Sequence, residues 1–194
     1  MIKSYSEKNR CEWVSTDPLY VAYHDKEWGK PIRDNRLLFE FLNLEAMQAG
    51  LSWITILKKR ENYRIAFDNF DAKKIAQYDH IKIEELMQNA GIIRNRKKIE
   101  AIIANAKAYL ALEQQGINFS KFIWQFVNGK PIKNRFKDIS HLRSSSFESD
   151  NMSSEMKKLG FKFLGTKVCY AFMQAVGMMN DHTKKCYKYA GLKK

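Results

Sequence analysis

The sequence has little of several features that would mark a membrane, secreted or nucleotide-binding protein. Its 194 residues include 3 cysteines, 3 prolines and 9 glycines. No apolar run approaches the roughly 20 residues that cross a bilayer, and residues 1–10 contain no apolar core of a secretory signal. The odd cysteine count argues against a disulfide framework, and no phosphate-loop or dinucleotide glycine fingerprint occurs. We therefore expect a cytoplasmic protein that does not enter the membrane.

Most of the apolar residues follow a helical period, and few prolines interrupt it. Apolar residues at a spacing of 3.6 over residues 37–49 predict a helix with Asp34 as its N-cap. Residues 129–150 show no clear period and are expected to form a surface loop. Further helices are expected over residues 83–88, 99–112 and 119–127. The predicted fold class is mostly α.

The chain carries a large excess of positive charge. Lys and Arg number 34 against 21 Asp and Glu, a formal net charge of +13. This surplus favours a polyanionic partner, most simply nucleic acid, although a general bias toward lysine is the alternative. A chain of this length can bury its own core. We expect a monomer in which residues 1–9 are a disordered extension and residues 10–194 form a single domain.

Residues near the two ends of the chain have the composition of one metal site. Two thiolates and two imidazoles suit tetrahedral zinc. His182 and Cys186 have the spacing that places both side chains on one face of a helical turn. A full set of four ligands leaves no position for a reactive water, so we expect a structural Zn²⁺ that joins the chain ends. The predicted ligands are Cys11, His24, His182 and Cys186.

Asp181 and Cys169 each allow more than one interpretation. Asp181 could reach a DNA backbone, but the favoured interpretation is that it orients His182, a common task of an acid beside a metal ligand. Cys169 lies in an apolar run and is expected to be a buried free thiol.

Residues 156–177 have the pattern of two helices joined by a tight turn. One helix is expected to end near Leu159 and the next to run over residues 166–176, with glycines between them that permit the turn. Exposed N–H groups at the start of the second helix form a natural phosphate site. We interpret the segment as a helix-hairpin-helix that binds the DNA backbone, and a plain helical hairpin is the alternative. The expected DNA contacts are Gly160, Lys162, Gly165, Thr166 and Lys167.

Glu45 is unusual because it shares a helical stripe with apolar residues. An inward carboxylate is costly unless it meets a donor, a cation or a ligand, and a structural ion pair is the ordinary explanation. Aromatic rings around one carboxylate are also what a pocket for a flipped, cationic base requires, although most buried aromatics serve only packing. The aromatics of the N-terminal third are Trp13, Tyr20, Tyr23, Trp28 and Trp53.

Nine short motifs occur in order over nearly the whole chain, from Arg10 to Asp181-His182. They are Arg10-Cys11-Glu12-Trp13, Asp17-Pro18-Leu19-Tyr20, Tyr23-His24-Asp25, Glu27-Trp28-Gly29, Gln48-Ala49-Gly50-Leu51-Ser52-Trp53, Leu57-Lys58-Lys59-Arg60-Glu61, Gly91-Ile92-Ile93-Arg94, Gly160-Phe161-Lys162-Phe163 and Asn180-Asp181-His182. Together they resemble the constitutive DNA-3-methyladenine glycosylase I family. One departure is the pair Ala46-Met47, where some members are expected to be more polar.

The resemblance implies a helix-hairpin-helix glycosylase fold and a monofunctional hydrolase of DNA repair. Such an enzyme takes alkylated double-stranded DNA, flips out 3-methyladenine and releases the free base, leaving an abasic site. The resemblance also assigns the pocket carboxylate to Glu45, and it agrees with the zinc ligands expected from spacing. It places base stacking on Tyr20, Tyr23 and Trp53, and further pocket walls on Trp13 and Trp28. Leu51 is the candidate wedge that fills the gap in the base stack.

Two alternatives remain open at this point. A zinc-joined DNA-binding protein without catalysis would explain the charge, the hairpin and the metal, but not an inward Glu45 among aromatic rings. A glycosylase with a broader range would release 7-methylguanine as well as 3-methyladenine.

Overall fold

The computed structural model describes residues 8–191, most of which are helical. The helices are α1 (Pro18–Lys26), α2 (Asn35–Gln48), α3 (Trp53–Ala66), α4 (Ala72–Ile75), α5 (His80–Gln88), α6 (Arg96–Gln114), α7 (Phe119–Trp124), α8 (Phe147–Lys158), α9 (Thr166–Ala175) and α10 (Tyr187–Gly191). The mostly α class and each of the predicted helices are therefore confirmed. None of the described helices is both long and apolar enough to span a bilayer.

The expected extension, residues 1–9, falls largely outside the described residues. Residues 8 and 9 are described, and the Asn9 carbonyl accepts a hydrogen bond from the Tyr187 N–H at 2.8 Å. This contact joins the N-terminal segment to the start of α10.

The surface loop expected over residues 129–150 contains more structure than its sequence pattern indicates. β1 (Ile132–Lys133) pairs in parallel with β2 (Met179–Asn180), with Ile132 opposite Met179. A 3₁₀ turn follows at Ile139–His141, and α8 begins at Phe147 after a capping box between Ser146 and Ser149. The strand was not predictable from local pattern because its partner lies more than forty residues away.

Helix α2 forms the centre of the core. The Asp34 carboxylate accepts a hydrogen bond from the Leu37 N–H at 2.8 Å, which confirms the predicted N-cap. All residues from 38 to 47 are buried, and the helix packs against α3, α6, α7 and α9. Glu45 is thereby held at the middle of the molecule.

A buried ion network fixes α1 and α3 against α2. Glu40 on α2 is fully buried and accepts hydrogen bonds from Arg60 at 2.7 Å and from Arg64 at 2.7 Å. Arg60 also pairs with Glu27, just after α1, at 2.5 Å. Buried charges of this kind are tolerated because each has partners, and the network sets where α1 presents its aromatic side chains.

Helices α8 and α9 are joined by a compact turn, as the glycine pattern predicts. Leu159 is the C-cap of α8, and Gly160 has a φ of +91°, a conformation that glycine adopts without strain. The Lys162 N–H donates to the side-chain oxygen of Asn105 on α6 at 2.7 Å, which ties the turn to the core. The turn thus has the expected local shape, while its role in DNA binding remains a prediction.

Candidate functional site

The four predicted metal ligands meet in one buried cluster, although they come from opposite ends of the chain. Their ligand atoms all lie within 4.8 Å of one another. The Cys11 Sγ lies 3.4 Å from the His182 Nδ1, and the Cys186 Sγ lies 3.4 Å from the His24 Nε2. A tetrahedral zinc with ordinary Zn–S and Zn–N bonds would separate sulfur and nitrogen by about 3.5 Å. The donor set and its spacing therefore fit a four-coordinate ion.

The acid that orients a ligand of this cluster is Asp25, not Asp181. The Asp25 carboxylate lies 2.9 Å from the His24 Nδ1, which leaves Nε2 to face the sulfur atoms, and Arg10 holds the same carboxylate. Asp181 instead accepts hydrogen bonds from Tyr170 at 2.7 Å, Gln174 at 2.8 Å and Asn134 at 2.7 Å.

The expectation that Asp181 orients His182 is therefore wrong. Asp181 directly follows β2, where successive side chains point to opposite sides of the chain. Because the two residues are neighbours in extended backbone, their side chains point in opposite directions. His182 faces the cluster, and Asp181 faces α9. Cys169 is fully buried, as expected, with its thiol 3.5 Å from the Leu164 carbonyl oxygen.

Beside the cluster lies a cavity of about 260 Å³ with aromatic walls. Trp28 joins the two features, since its ring lies 4.6 Å from that of His182, centroid to centroid. Tyr23 and Trp53 are both buried, with ring centroids 5.3 Å apart. The aromatic residues that line the cavity are Trp13, Tyr20, Tyr23, Trp28 and Trp53. All five aromatics predicted for the pocket are thus brought together.

Glu45 lines this cavity and is the one carboxylate among the residues described there. Glu45 is 4% exposed, and its Oε2 atom has no hydrogen-bond partner within residues 8–191. Burial raises the pKa of Glu45 to about 8. The ordinary explanation, a structural ion pair, is not met within the described residues. A buried acceptor without a partner is costly, which points to a ligand that supplies the missing donor.

Sequence reasoning missed several cavity residues because most of them lie far apart along the chain. Gln48 could have been found from its position nearly one turn beyond Glu45 on α2. Arg143 precedes α8 and Gln174 lies on α9, so no local pattern connects them with the pocket. The missed lining residues are Gln48, Leu142, Arg143, Ala171 and Gln174.

The predicted DNA contacts lie around an adjoining surface groove and the α8–α9 turn. The groove has a volume of about 200 Å³ and shares Glu45, Gln48 and Ala171 with the aromatic cavity. Leu51 is 39% exposed in the turn after α2 and lines the groove together with Lys167. Lys162 and Gly165 are exposed in the α8–α9 turn. Leu51 and Lys167 thus lie at the groove, whereas the other predicted contacts lie in the α8–α9 turn or at the start of α9.

The arrangement of the cavity defines a class of protein, one that binds a planar base. An aromatic cavity with a carboxylate that has no partner among the described residues suits a planar, cationic, hydrogen-bond-donating ring such as an alkylated base. The cluster of Cys11, His24, His182 and Cys186, which could hold a metal ion, contacts the cavity through the Trp28 ring.

Comparison with known proteins agrees with this class. The family described as methyladenine glycosylase matches residues 13–189. A curated relative, DNA-3-methyladenine glycosylase 1 of Escherichia coli strain K12, is 54% identical over 184 residues, which cover 95% of this chain and 98% of the relative. The chain therefore belongs to the methyladenine glycosylase family.

Solved structures give the same result for the fold. A crystal structure of 3-methyladenine DNA glycosylase I is 54% identical and superposes with a TM-score of 0.91, covering 92% of this chain and 98% of the other. A variant of a 3-methyladenine DNA glycosylase I, solved in complex with 3-methyladenine, is 41% identical with a TM-score of 0.90, covering 93% and 97%. The mostly helical fold is thus that of the family.

Proposed function

We propose that this protein is a DNA repair glycosylase that excises 3-methyladenine from alkylated DNA by hydrolysing its N-glycosidic bond. The observation that carries the proposal is the buried Glu45 carboxylate, without a hydrogen-bond partner in the described chain, at an aromatic cavity. Membership of the methyladenine glycosylase family supports the same reaction.

The lesion itself supplies part of the activation. 3-Methyladenine carries a positive charge while attached to the sugar, so its glycosidic bond is already weakened. The damaged nucleotide is flipped out of the duplex and its base enters the cavity. The water oxygen bonds to the sugar carbon as the bond to the base breaks, and the base keeps that electron pair and leaves as neutral 3-methyladenine. The water loses one proton to solvent, which leaves an abasic site.

Glu45 acts as the recognition carboxylate in this proposal. It accepts a hydrogen bond from the amino edge of the base and offsets the positive charge. An approaching cation lowers the pKa of a buried carboxyl, which favours the charged form that pairs with it. Unmodified adenine lacks the positive charge and therefore binds less well.

The aromatic residues provide the stacking surfaces. Tyr20, Tyr23 and Trp53 stack on the base, and Trp13 and Trp28 complete the walls. No lysine is among the described residues that line the cavity, which supports a monofunctional hydrolase over a lyase that uses a Schiff base.

DNA is held outside the cavity through its phosphate backbone. The α8–α9 turn acts as the helix-hairpin-helix, with backbone N–H groups near Gly160 and Gly165 and the side chains of Lys162, Thr166 and Lys167 as contacts. Leu51 fills the gap left in the base stack. The partner is double-stranded DNA, and the protein acts as a monomer.

The cluster at the chain ends holds a structural Zn²⁺. Cys11, His24, His182 and Cys186 supply the ligands, and the Asp25 contact with His24 fixes the ring tautomer. The bound ion joins the N-terminal segment to the segment after β2. Metal analysis of protein purified without chelator should find zinc, and its absence would contradict this assignment.

A base-release assay on methylated duplex DNA tests the proposed reaction. Release of free 3-methyladenine is expected. Tight DNA binding without release would instead identify a non-catalytic DNA-binding protein. Release of 7-methylguanine at a comparable rate would identify a glycosylase of broader range.

Glu45→Gln tests the role of the carboxylate, because it keeps the shape of the side chain and removes the charge. Binding of free 3-methyladenine, measured by titration, should weaken by at least about tenfold, the scale of one charge-assisted hydrogen bond. An unchanged dissociation constant would contradict the assigned role.

A further inference from the structure

Arg143 occupies a position at the cavity that the proposed reaction leaves unexplained. It lines the same cavity as Glu45, and its side chain is exposed to solvent. A residue that both lines a cavity and reaches solvent lies at the cavity mouth. Burial and the Asp181 carboxylate raise the pKa of Tyr170, and Arg143 opposes that rise, which places the guanidinium near α9.

The Arg143 guanidinium makes no polar side-chain contact in the described part of the chain. Within residues 8–191 it forms no ion pair and no side-chain hydrogen bond, whereas Arg10, Arg60 and Arg64 all pair with carboxylates. An arginine presents a rigid fork of donors that matches a phosphate in geometry and charge. The side chain is therefore available for a ligand outside the protein.

The backbone that carries Arg143 is held in place, although its segment is irregular. In the segment of residues 134–146, the Asn134 side chain donates to Asp181 at 2.7 Å, and the Phe136 carbonyl accepts from the Lys184 N–H at 2.9 Å. The Ile139 N–H donates to Glu12 at 2.6 Å. Glu12 and Lys184 lie next to the metal cluster in sequence, so the joined chain ends hold this segment over the cavity.

A second cation, Lys167, lines the adjoining groove, and Ala171, one turn further along α9, lines both groove and cavity. A flipped nucleotide remains attached to the DNA through the phosphates on either side of its sugar. With the base in the cavity, those phosphates lie at the mouth, within reach of the exposed Arg143 side chain.

We propose that Arg143 binds a backbone phosphate next to the flipped nucleotide and thereby positions the extruded lesion. The proposal rests on the proposed function, since it takes the cavity as the site of the flipped base. Arg143 contributes nothing to recognition of the base itself.

The test uses Arg143→Gln and a duplex that carries one tetrahydrofuran abasic-site analogue, so that binding is measured without catalysis. At low salt the affinity should fall about tenfold, and the slope of log K against log salt should decrease by about 0.9, the loss of one phosphate contact. Arg143→Lys keeps the positive charge but not the forked donor geometry of arginine. It should therefore keep the wild-type salt slope and lose less DNA affinity than Arg143→Gln.

Two controls separate a phosphate contact from other roles. Lys107→Gln removes one exposed charge from α6, away from both cavity and groove, and should change affinity by less than about twofold. Free 3-methyladenine has no phosphate, so its dissociation constant should be the same in Arg143→Gln and in the wild type.

An unchanged salt slope in Arg143→Gln would overturn the proposal. Parallel losses of abasic-DNA and free-base binding would also overturn it, because they would indicate a general disturbance of the cavity. If the wild-type protein releases no 3-methyladenine, the proposed function fails, while the abasic-DNA titration still decides whether Arg143 binds phosphate.

Discussion

Burial determines the behaviour of Glu45 more than any neighbouring charge does. Loss of hydration is the cause of its raised pKa, about 8, since the ions of the Glu40 network lie elsewhere on α2 and α3. At neutral pH the free protein therefore favours the protonated carboxyl, and a cationic ligand favours the carboxylate. The buried Glu45 carboxylate therefore both favours a cationic ligand and lowers the stability of the folded protein.

Glu45 should make the protein less stable as the pH rises. The folded state binds a proton at Glu45 more readily than the unfolded chain, whose carboxyl has a pKa near 4.5. Stability from this group is fully present below about pH 4.5 and is lost as the pH rises through about 8, a total of roughly 3–6 kcal/mol. Glu45→Gln removes this dependence and should be the more stable protein above about pH 8.

Urea unfolding of both proteins at several pH values checks this prediction. Glu100→Gln, an exposed position on α6, is the matched control and should leave the pH dependence of the wild type unchanged. If the free energy of unfolding had the same pH dependence in wild type and Glu45→Gln, ionisation of the buried Glu45 carboxyl would not destabilise the fold, and the prediction would be wrong.

At the scale of elements, the end of α2 is held by a lysine from a different helix. The Lys98 ammonium donates to the Met47 carbonyl at 2.7 Å and to the Ala49 carbonyl at 2.8 Å. These are terminal carbonyls that a helix cannot satisfy by itself, and a cation there also complements the helix dipole. The contact fixes the turn that carries Leu51. The Lys98 contact uses the backbone carbonyl of Met47. It therefore does not depend on whether the side chains of the Ala46-Met47 pair are apolar or polar.

Lys98→Met should destabilise the protein by about 1–3 kcal/mol, because it leaves the buried Met47 carbonyl and the partly buried Ala49 carbonyl without this donor while keeping most of the apolar stem. Lys97→Met is the matched control, since Lys97 is the preceding residue of α6 and is exposed; it should change stability by less than about 0.5 kcal/mol. Unfolding in urea measures both. Equal stability of the two variants would show that the Lys98 contacts contribute nothing.

The glycines that follow α6 and α9 have the same backbone conformation but different surroundings. Gly116 has a φ of +74°, and a Cβ at this position would meet no atom within 4 Å. A Cβ on Gly177, with a φ of +73°, would lie 2.3 Å from the Lys30 carbonyl carbon. The chain segment between α1 and α2 crosses the end of α9 at that point. Only glycine allows the close approach.

Gly116→Ala should therefore lower the free energy of unfolding only by the strain of a Cβ in left-handed backbone, about 1–2 kcal/mol. Gly177→Ala must also displace backbone, so it should cost at least about 2 kcal/mol more. Thermal unfolding of the two variants makes the comparison, and similar losses would contradict the close packing of residues 30–31 on α9.

At the scale of the whole molecule, the cluster of cysteines and histidines joins the chain ends. Its histidines pack against the rings of Trp13 and Trp28 at the cavity, and the neighbouring residues Glu12 and Lys184 hold the segment that carries Arg143. Because the four residues are buried and close enough to surround one ion, we expect the cluster to govern stability before it governs chemistry.

Cys186→Ser should lower the melting temperature by more than about 10 °C, since a chain of this size loses roughly 2–4 °C per kcal/mol and a metal ligand contributes several. Base release per folded molecule should change less. Cys169→Ser is the matched control, a buried thiol outside the cluster, and should cost less stability. A Cys186→Ser protein with the wild-type melting temperature but no base release would contradict a structural role.

The sequence was sufficient for most of the helices, for the four cluster residues and for Glu45 and the aromatic residues of the cavity, for specific reasons. The periodicity of residues 37–49 and the cap at Asp34 are local properties, and α2 follows them. The inward position of Glu45 follows from the same periodicity. The two ligand pairs could be recognised because thiolate and imidazole have few other reasons to occur at that spacing.

Contacts between distant segments could be determined only by the tertiary structure. The pairing of β1 with β2, the arrival of Arg143 and Gln174 at the cavity, and the choice of Asp25 rather than Asp181 as the acid beside a ligand all depend on how elements pack. Sequence patterns report the periodicity of one element and the chemistry of its residues. They do not report which side chains from remote elements share a cavity, because that depends on packing across the whole core.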